Sequence, residues 1–428
     1  MVVAIISAEY PPRPGGVGDY THRLGQALEQ RGSHVFIFTI ADCRFQIVDF
    51  EVPSHNPQST ICNLQSDWGW HIWRDVRAAL QRTEPDILHI QYQTGAYGMH
   101  PAINFLPWRL RRAPQRPALV VTAHDLLRPY LFPRAGPLRQ WVTHRLLADA
   151  DAVVVTNEDD FSQVAWDWGL AIGDQGSMAP TQSPIAILRS PALIPIGSNI
   201  AVAPGESYDR AAWRARLQIG ADDVLLAYFG LISRSKGLDT LLDALVRLPA
   251  RFRLLIVGGA AMAPEDRAYA DAIGQQIVRL GLEQRVTITG HCGEAEVSAH
   301  LLAADIATLP FADGASFRRG SLLAALAHGL PVVTTLPTND QGRKTNEDNR
   351  SRLLGPSSSV LGPLVDGENV LLIPPGEAAA LADTIERLTQ DQGLRERLAG
   401  GGRVLAAQFG WDTIAAQHEQ LYERLIRR

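Results

Sequence analysis

Lysine is nearly missing from this chain of 428 residues: Lys236 and Lys344 stand alone among 40 basic side chains, and arginine supplies the rest. Cysteine is scarce as well. Cys43, Cys62 and Cys292 lie too far apart for a disulfide framework or a zinc spacing, and they suit a reducing compartment. No run of about 18 apolar residues occurs, so no membrane-spanning helix is expected. The apolar stretch Met1–Ser7 lacks a basic start and is stopped by Glu9 and the prolines after it, unlike a signal peptide. Neither sign of charge dominates: a net charge of -5 removes the usual ground for a nucleic-acid partner. These absences point to a cytoplasmic chain, and they leave room for peripheral contact at the inner face of a membrane.

What is present is ordinary globular material, 46% apolar and 20% charged, in a length that calls for two cores rather than one. Short apolar runs alternate with helical patterns. Val2–Ile6, Val35–Thr39, Asp86–Gln91, Ala118–Ala123 and Val153–Thr156 read as buried strands. The alternation restarts with Leu225–Gly230, followed by an amphipathic stretch Leu238–Leu248 and strands at Leu254–Gly258, Val286–Thr289 and Ile306–Pro310. Strand, helix, strand in repetition predicts an α/β chain with parallel sheets covered on both faces. A breaker-rich stretch over 171–207 is expected to hold the linker, and another over 336–363 is expected to be a long mobile loop.

Three Gly-rich segments follow strands and open helices. In Pro11-Pro-Arg-Pro-Gly-Gly-Val-Gly18, Gly15 and Gly16 permit a close ligand, and the helix start offers unpaired N–H groups to an anion; a plain tight turn fits the same residues. In Gly230-Leu-Ile-Ser-Arg-Ser-Lys-Gly237, Arg234 and Lys236 fall at the carboxyl end of a strand, where open α/β sheets bind ligands. A near-unique lysine there is a candidate phosphate ligand rather than a solvated basic turn. The third segment, Phe311–Gly329, places Asp313, Gly314, Ala315 and Ser316 in a turn, Arg318 and Arg319 after it, and Ser321 as a candidate cap of the following helix. His124 ends a strand, which makes it a candidate site residue; His34, His55 and His418 read as ordinary packed histidines.

In this order and spacing, the segments resemble glycosyltransferase family 4, and the resemblance spans nearly the whole chain. It is carried by Glu9-Tyr-Pro-Pro with Gly15-Gly16, by Thr122-Ala-His-Asp125 and by Tyr228–Asp239. Ala327-His-Gly-Leu-Pro-Val-Val333 and Asp366–Gly376 complete it. The resemblance implies the GT-B fold, two facing Rossmann-like domains: an acceptor-side domain over 1–200, a donor-binding domain over 205–402, and a segment over 403–428 whose helix returns to the first. It implies a retaining transfer from a nucleotide-sugar donor to a glycan, lipid-linked or small-molecule acceptor, with no cofactor and no metal. Carried over, Lys236 and Arg234 serve the donor diphosphate, His124 faces the donor sugar, and Gly230 lies in the donor loop.

Two departures stand out. Leu231 occupies a place where the family usually has Arg. Ser316 and Ala324 occupy the places of a Glu pair whose second member ordinarily binds the nucleotide ribose, and a charged hydrogen bond of that kind is worth roughly 1.5–3 kcal/mol. A non-catalytic GT-B relative that binds a sugar nucleotide or glycan, and a GT-B epimerase or phosphorylase, are the competing readings.

Overall fold

The structure is a computed structural model that describes every residue except 12–14, 41–59, 65–66, 114, 125, 127–135, 169–190, 199, 260–263, 318, 338–362 and 428. Arg318, Cys43, Lys344, nearly all of the expected mobile loop and much of the expected linker therefore lie outside the described residues.

The described residues form two compact units, one holding Met1–Ile196 with Trp411–Arg428 and the other the residues between Gly197 and Gly410. Each is built on a parallel sheet. In the first unit the strands are β1 (Val2–Ser7), β2 (His34–Thr39), β3 (Thr60–Asn63), β4 (Ile87–Tyr92), β5 (Ala118–Ala123), β6 (Ala152–Val155) and β7 (Ala192–Leu193), in the order β3-β2-β1-β4-β5-β6-β7. In the second they are β8 (Val224–Phe229), β9 (Phe252–Val257), β10 (Val286–Ile288), β11 (Ile306–Leu309), β12 (Val332–Thr335) and β13 (Leu371–Ile373), in the order β10-β9-β8-β11-β12-β13. The helices of the first unit are α1 (Gly16–Gln30), α2 (Ile72–Thr83), α3 (Ala102–Leu110), α4 (Gly136–Ala148) and α5 (Glu158–Asp167). Those of the second are α6 (Arg210–Arg216), α7 (Leu238–Arg247), α8 (Pro264–Arg279), α9 (Glu294–Ala303), α10 (Gly320–Ala327), α11 (Ala378–Gln390) and α12 (Gln392–Ala407). The last helix, α13 (Trp411–Ile426), belongs to the first unit. Helix α12 carries the chain past Arg403, so the division between the units falls between Gly410 and Trp411.

The inner strands are largely apolar on both faces because both faces are covered. In the first sheet Leu88, Ile90, Val121 and Val153 pack into one layer, and Ile87, Val120 and Val154 into the opposite one with Tyr20, Leu24, Ile414 and Tyr422. In α7, Leu238, Leu241, Leu242 and Leu245 recur at three- and four-residue spacing and are buried on the second sheet.

Both sheets reverse strand order at an inner pair, β1/β4 and β8/β11, which is where open α/β sheets leave a crevice at the carboxyl ends. In the second unit glycine backbone closes these ends. Gly230, Gly258 and Gly290 follow β8, β9 and β10, all with positive φ, and a side chain on Gly258 would run into the Gly230 carbonyl. Gly237 (φ +66) lies so close to the Pro310 carbonyl that no Cβ fits. The loop after β8 is thus seated on the loop after β11. Gly237→Ala is expected to destabilise the second unit by about 2 kcal/mol, from αL strain plus the displaced carbonyl, measured as a lowered denaturant midpoint. A midpoint equal to that of the parent protein would contradict this seating.

Candidate functional site

In the second unit, the segment after β8 leaves the strand at Gly230 and forms a short 3₁₀ turn, Arg234–Lys236, before α7. Lys236 folds back over its own loop. Its Nζ sits against the Gly230 Cα, where any side chain would collide with it, and donates to Ser321 Oγ at 3.3 Å. Ser321 is buried in the first turn of α10; Arg319 holds the N-cap position and no side chain caps the helix. The expected cap is therefore corrected: Ser321 is one residue inside the helix, and its hydroxyl is turned to the lysine.

Arg319 completes the corner. Its guanidinium pairs with Asp313, lies 3.4 Å from Ser235 Oγ and stands 4.7 Å from the Phe311 ring centroid. The Ala312 N–H donates to the Ser235 carbonyl at 2.9 Å, so the loops after β8 and β11 are joined by backbone as well. Gly314 turns the chain with φ +88, and buried Ala315 and half-buried Ser316 lead towards α10. The first N–H groups of α10 have no acceptor in their own helix. Burial, then the Arg319 charge, lowers the Lys236 pKa to about 8, with Asp313 opposing. Among the described residues, two cations share this corner and Asp313, paired with Arg319, is the carboxylate that acts on them. Arg234 takes another course: its guanidinium lies 5.3 Å from the Tyr269 ring centroid, and no contact joins it to Lys236 among the described residues. Ala324, in the place of the expected ribose-binding carboxylate, is fully buried in α10. The signature around it is structural: His328 Nδ1 lies 2.7 Å from the Ala324 carbonyl and its Nε2 2.9 Å from Ser298 Oγ, tying α10 to α9.

In the first unit, Gly15 and Gly16 stand at the start of α1. A side chain on Gly15 would meet only the movable end of the Glu9 side chain, and Gly16 has open space around it, so packing against fixed backbone requires neither glycine. His124, just after β5, is half-buried; its Nε2 lies 2.8 Å from Gln91 Oε1, and its ring packs edge-on against Tyr20 at 4.7 Å. Behind it runs a buried polar stripe. His89 Nδ1 is 2.7 Å from the Tyr422 hydroxyl, His89 Nε2 is 2.7 Å from Thr122 Oγ1, and the Tyr20 hydroxyl is 3.5 Å from His418 Nε2. Sequence reading missed Gln91 and His89. Their signal was available: polar residues two apart in a strand that is otherwise wholly apolar, Ile87-Leu-His-Ile-Gln-Tyr92.

Two other clusters have different chemistry. Cys292, Glu296 and His300 bring ligand atoms within 4.8 Å of one another. Trp213 Nε1–H points at His300 Nδ1 at 3.1 Å, so Nε2 carries the ring proton and faces Glu296. That is a hydrogen-bonded arrangement, without the bare nitrogen a metal needs. A cavity of about 1380 Å³ in the first unit is lined by Trp70, Trp73, Arg74, Arg77, Arg109 and Arg112, with Pro85, Asp86 and Pro117. Those last residues precede β4 and β5, so this cavity lies at the amino ends of the strands, the end opposite His124.

The family model for a glycosyl transferase 4-like domain matches residues 15–173, and that for glycosyl transferases group 1 matches residues 223–391. The chain belongs to glycosyltransferase family 4. A D-inositol 3-phosphate glycosyltransferase of Xylanimonas cellulosilytica is 27% identical to this glycosyltransferase, over 97% of this chain and 93% of its own. A phosphatidyl-myo-inositol mannosyltransferase of Mycobacterium leprae is 25% identical over 96% and 93%. Among solved structures, a sucrose-phosphate synthase from Thermosynechococcus elongatus superposes with a TM-score of 0.67 at 24% identity, covering 100% of this chain and 99% of the other. Anabaena HepE in complex with UDP and glucose superposes with a TM-score of 0.64 at 22% identity, over 99% and 100%. The fold is GT-B. Among the described residues no helix is long and apolar enough to cross a membrane.

Burial also governs the histidine stripe of the first unit. It lowers the pKa of His124 to about 3, that of His418 to about 4, and that of His89 well below its ordinary 6.5. The unfolded chain therefore takes up protons first as pH falls. The stability these neutral rings allow is complete above pH 6.5 and lost progressively below it, by up to about 1.4 kcal/mol per histidine per pH unit. Denaturant midpoints of the first unit are expected to fall steadily from pH 6.5 towards 4; a flat profile across that range would mean the rings are charged in the folded protein.

Proposed function

We propose that this glycosyltransferase is a retaining enzyme that takes its sugar from a nucleoside diphosphate donor, with the Lys236–Arg319 corner receiving the diphosphate. The observation that carries this reading is the convergence of two cations on Gly230, Ser235 and Ser321 at the β8/β11 reversal, with one carboxylate beside them. A corner built that way is electrostatically incomplete until an anion enters. As the sugar leaves the diphosphate, negative charge grows on the phosphate oxygens. A preorganised ammonium, a guanidinium fork and the start of α10 lower the energy of that charge without reorganising. Lys236 and Arg319 supply the charge that a divalent metal would otherwise bring, so the proposal includes no metal and no cofactor. Arg234, turned to Tyr269, is left to the donor's periphery. In the first unit, His124, neutral at working pH, serves a hydroxyl of a bound sugar.

The donor reading is supported by relatives of this fold bound to UDP and glucose, and the acceptor reading by relatives named for inositol 3-phosphate and phosphatidyl-myo-inositol. We take the acceptor to be an inositol-bearing phosphate, free or lipid-linked. For a lipid-linked acceptor, exposed Trp70 and Trp141 with the arginines of α2 and α3 offer a face for peripheral contact with a membrane.

The test is an assay of nucleoside diphosphate hexoses against inositol 3-phosphate and phosphatidylinositol vesicles. NMR of the product anomer should show the donor configuration kept, and EDTA should leave turnover unchanged. An inverted anomer would sink the retaining assignment. Lys236→Ala is expected to lower kcat by 10²–10³ while the fold persists. Nucleoside diphosphate affinity should be highest below pH 8 and fall about tenfold per unit above it, because the unbound lysine loses its proton near 8 and the anion needs it charged. Lys236→Arg should flatten that profile; equal calorimetric affinities at pH 7 and 9.5 in the parent protein would remove Lys236 from the phosphate.

A further inference from the structure

We infer that Gln91 fixes the proton on Nε2 of His124 and so leaves Nδ1 a bare lone pair that accepts a hydrogen bond from a sugar hydroxyl. The inference rests on the role proposed above for His124 and adds a positioning residue to it.

The geometry begins with the sheet. Side chains two apart on a strand share a face, so His89 and Gln91 of β4 lie side by side. In the ladder Gln91 pairs with Thr122 of β5, and His124 follows Thr122 on the same face. Gln91 Oε1 is 2.8 Å from His124 Nε2. An amide oxygen only accepts, so in the neutral ring the proton stands on Nε2. No partner bonds Nδ1 among the described residues.

Everything then depends on which way the Gln91 amide points, because a reversed amide would offer N–H to His124 and drive the proton to Nδ1. His89 decides it. Gln91 Nε2 is 3.4 Å from both ring nitrogens of His89. The in-plane positions at those nitrogens are already taken, by Tyr422 and by Thr122, at 2.7 Å each. The amide group equidistant from both nitrogens therefore lies over the ring face. An N–H is attracted to the electron-rich face of a ring, and a carbonyl oxygen is repelled by it. The NH2 end belongs over His89 and the oxygen at His124. His89 cannot turn away, being fully buried between Tyr422 of α13 and Thr122 of β5.

The choice of glutamine has its own logic. A carboxylate at the same place would hold the same hydrogen bond but draw a second proton onto His124, and an imidazolium has no lone pair to offer. Glutamine orients the ring without charging it. Burial already disfavours the charged form of His124, and the nearby His418 adds to this.

The test uses the full chain with 15N-labelled histidine rings. The long-range 1H–15N pattern of His124, assigned by its loss in His124→Ala, is expected to show a protonated Nε2 and an unprotonated Nδ1. Gln91→Met, close in size but without an acceptor, should abolish that tautomer preference and lower kcat about tenfold, with nucleoside diphosphate affinity unchanged. Gln91→Glu should give a doubly protonated His124 and a comparable loss of kcat. A proton on Nδ1 in the parent protein overturns the inference even if no variant folds. So does Gln91→Met with the parent tautomer and the parent kcat. Unchanged turnover in His124→Ala would instead remove His124 from the reaction, and the inference with it, while the nucleotide-affinity profile of Lys236 still stood.

Discussion

An ammonium group pressed against the Cα of Gly230 is the contact from which the rest of the candidate donor corner follows. Lys236 can fold back only because position 230 has no side chain, and it is held there because Ser321 accepts from it. Gly237 must then lie on the Pro310 carbonyl for the turn to close, which brings Ser235 to Ala312 and to Arg319. One lysine, two glycines and a serine thus assemble residues from two loops about 85 positions apart, a separation set by the β8-to-β11 crossover. The depressed lysine pKa is the electrostatic expression of this packing: burial removes water, and Arg319 adds like charge.

The α/β order was legible because parallel strands buried on both faces leave continuous apolar runs, and those runs were plain for β1, β2, β4, β5, β8 and β9. Strand β3 was missed because it sits at the edge of its sheet and its residues, Thr60-Ile-Cys-Asn63, are mostly exposed, so burial wrote no pattern into them. The two-residue β7 is too short to write one. At the site, Lys236 was found by its rarity and Arg319 by its place before a helix. Arg234 was grouped with Lys236 by closeness in sequence, yet positions two apart in a 3₁₀ turn, at three residues per turn, point to different sides, and the Arg234 guanidinium lies by Tyr269. Ser321 was read as a cap because a serine at a helix start usually is one; its actual partner lies in another loop, which no local pattern records.

The first unit shows the opposite economy. Its polar residues are distributed over β4, β5, α1 and α13, and several find their partners on another element. His89 needs Tyr422 and Thr122, and Tyr20 lies between His124, Trp411 and His418. Such a stripe fixes geometry at the cost of tolerance: an apolar replacement at one member strands its neighbours in a place without water.

The same arrangement bears on how the chain is made. Tyr20 and His418 are 398 residues apart in sequence and meet in one core. During synthesis the second unit has all its residues before α13 leaves the ribosome, whereas the first waits for α13. From Ile196 to Trp411 is 215 residues, so at about 5–20 residues per second that wait lasts roughly 10–40 s. Through that interval the face of the first sheet that will hold α13, including Ile87, Val120 and the unpaired side of His89, stands open to solvent or to a chaperone. The unit that is first in sequence is thus completed after the second, and a stop codon just ahead of Trp411 would leave the second unit whole and the first without part of its core.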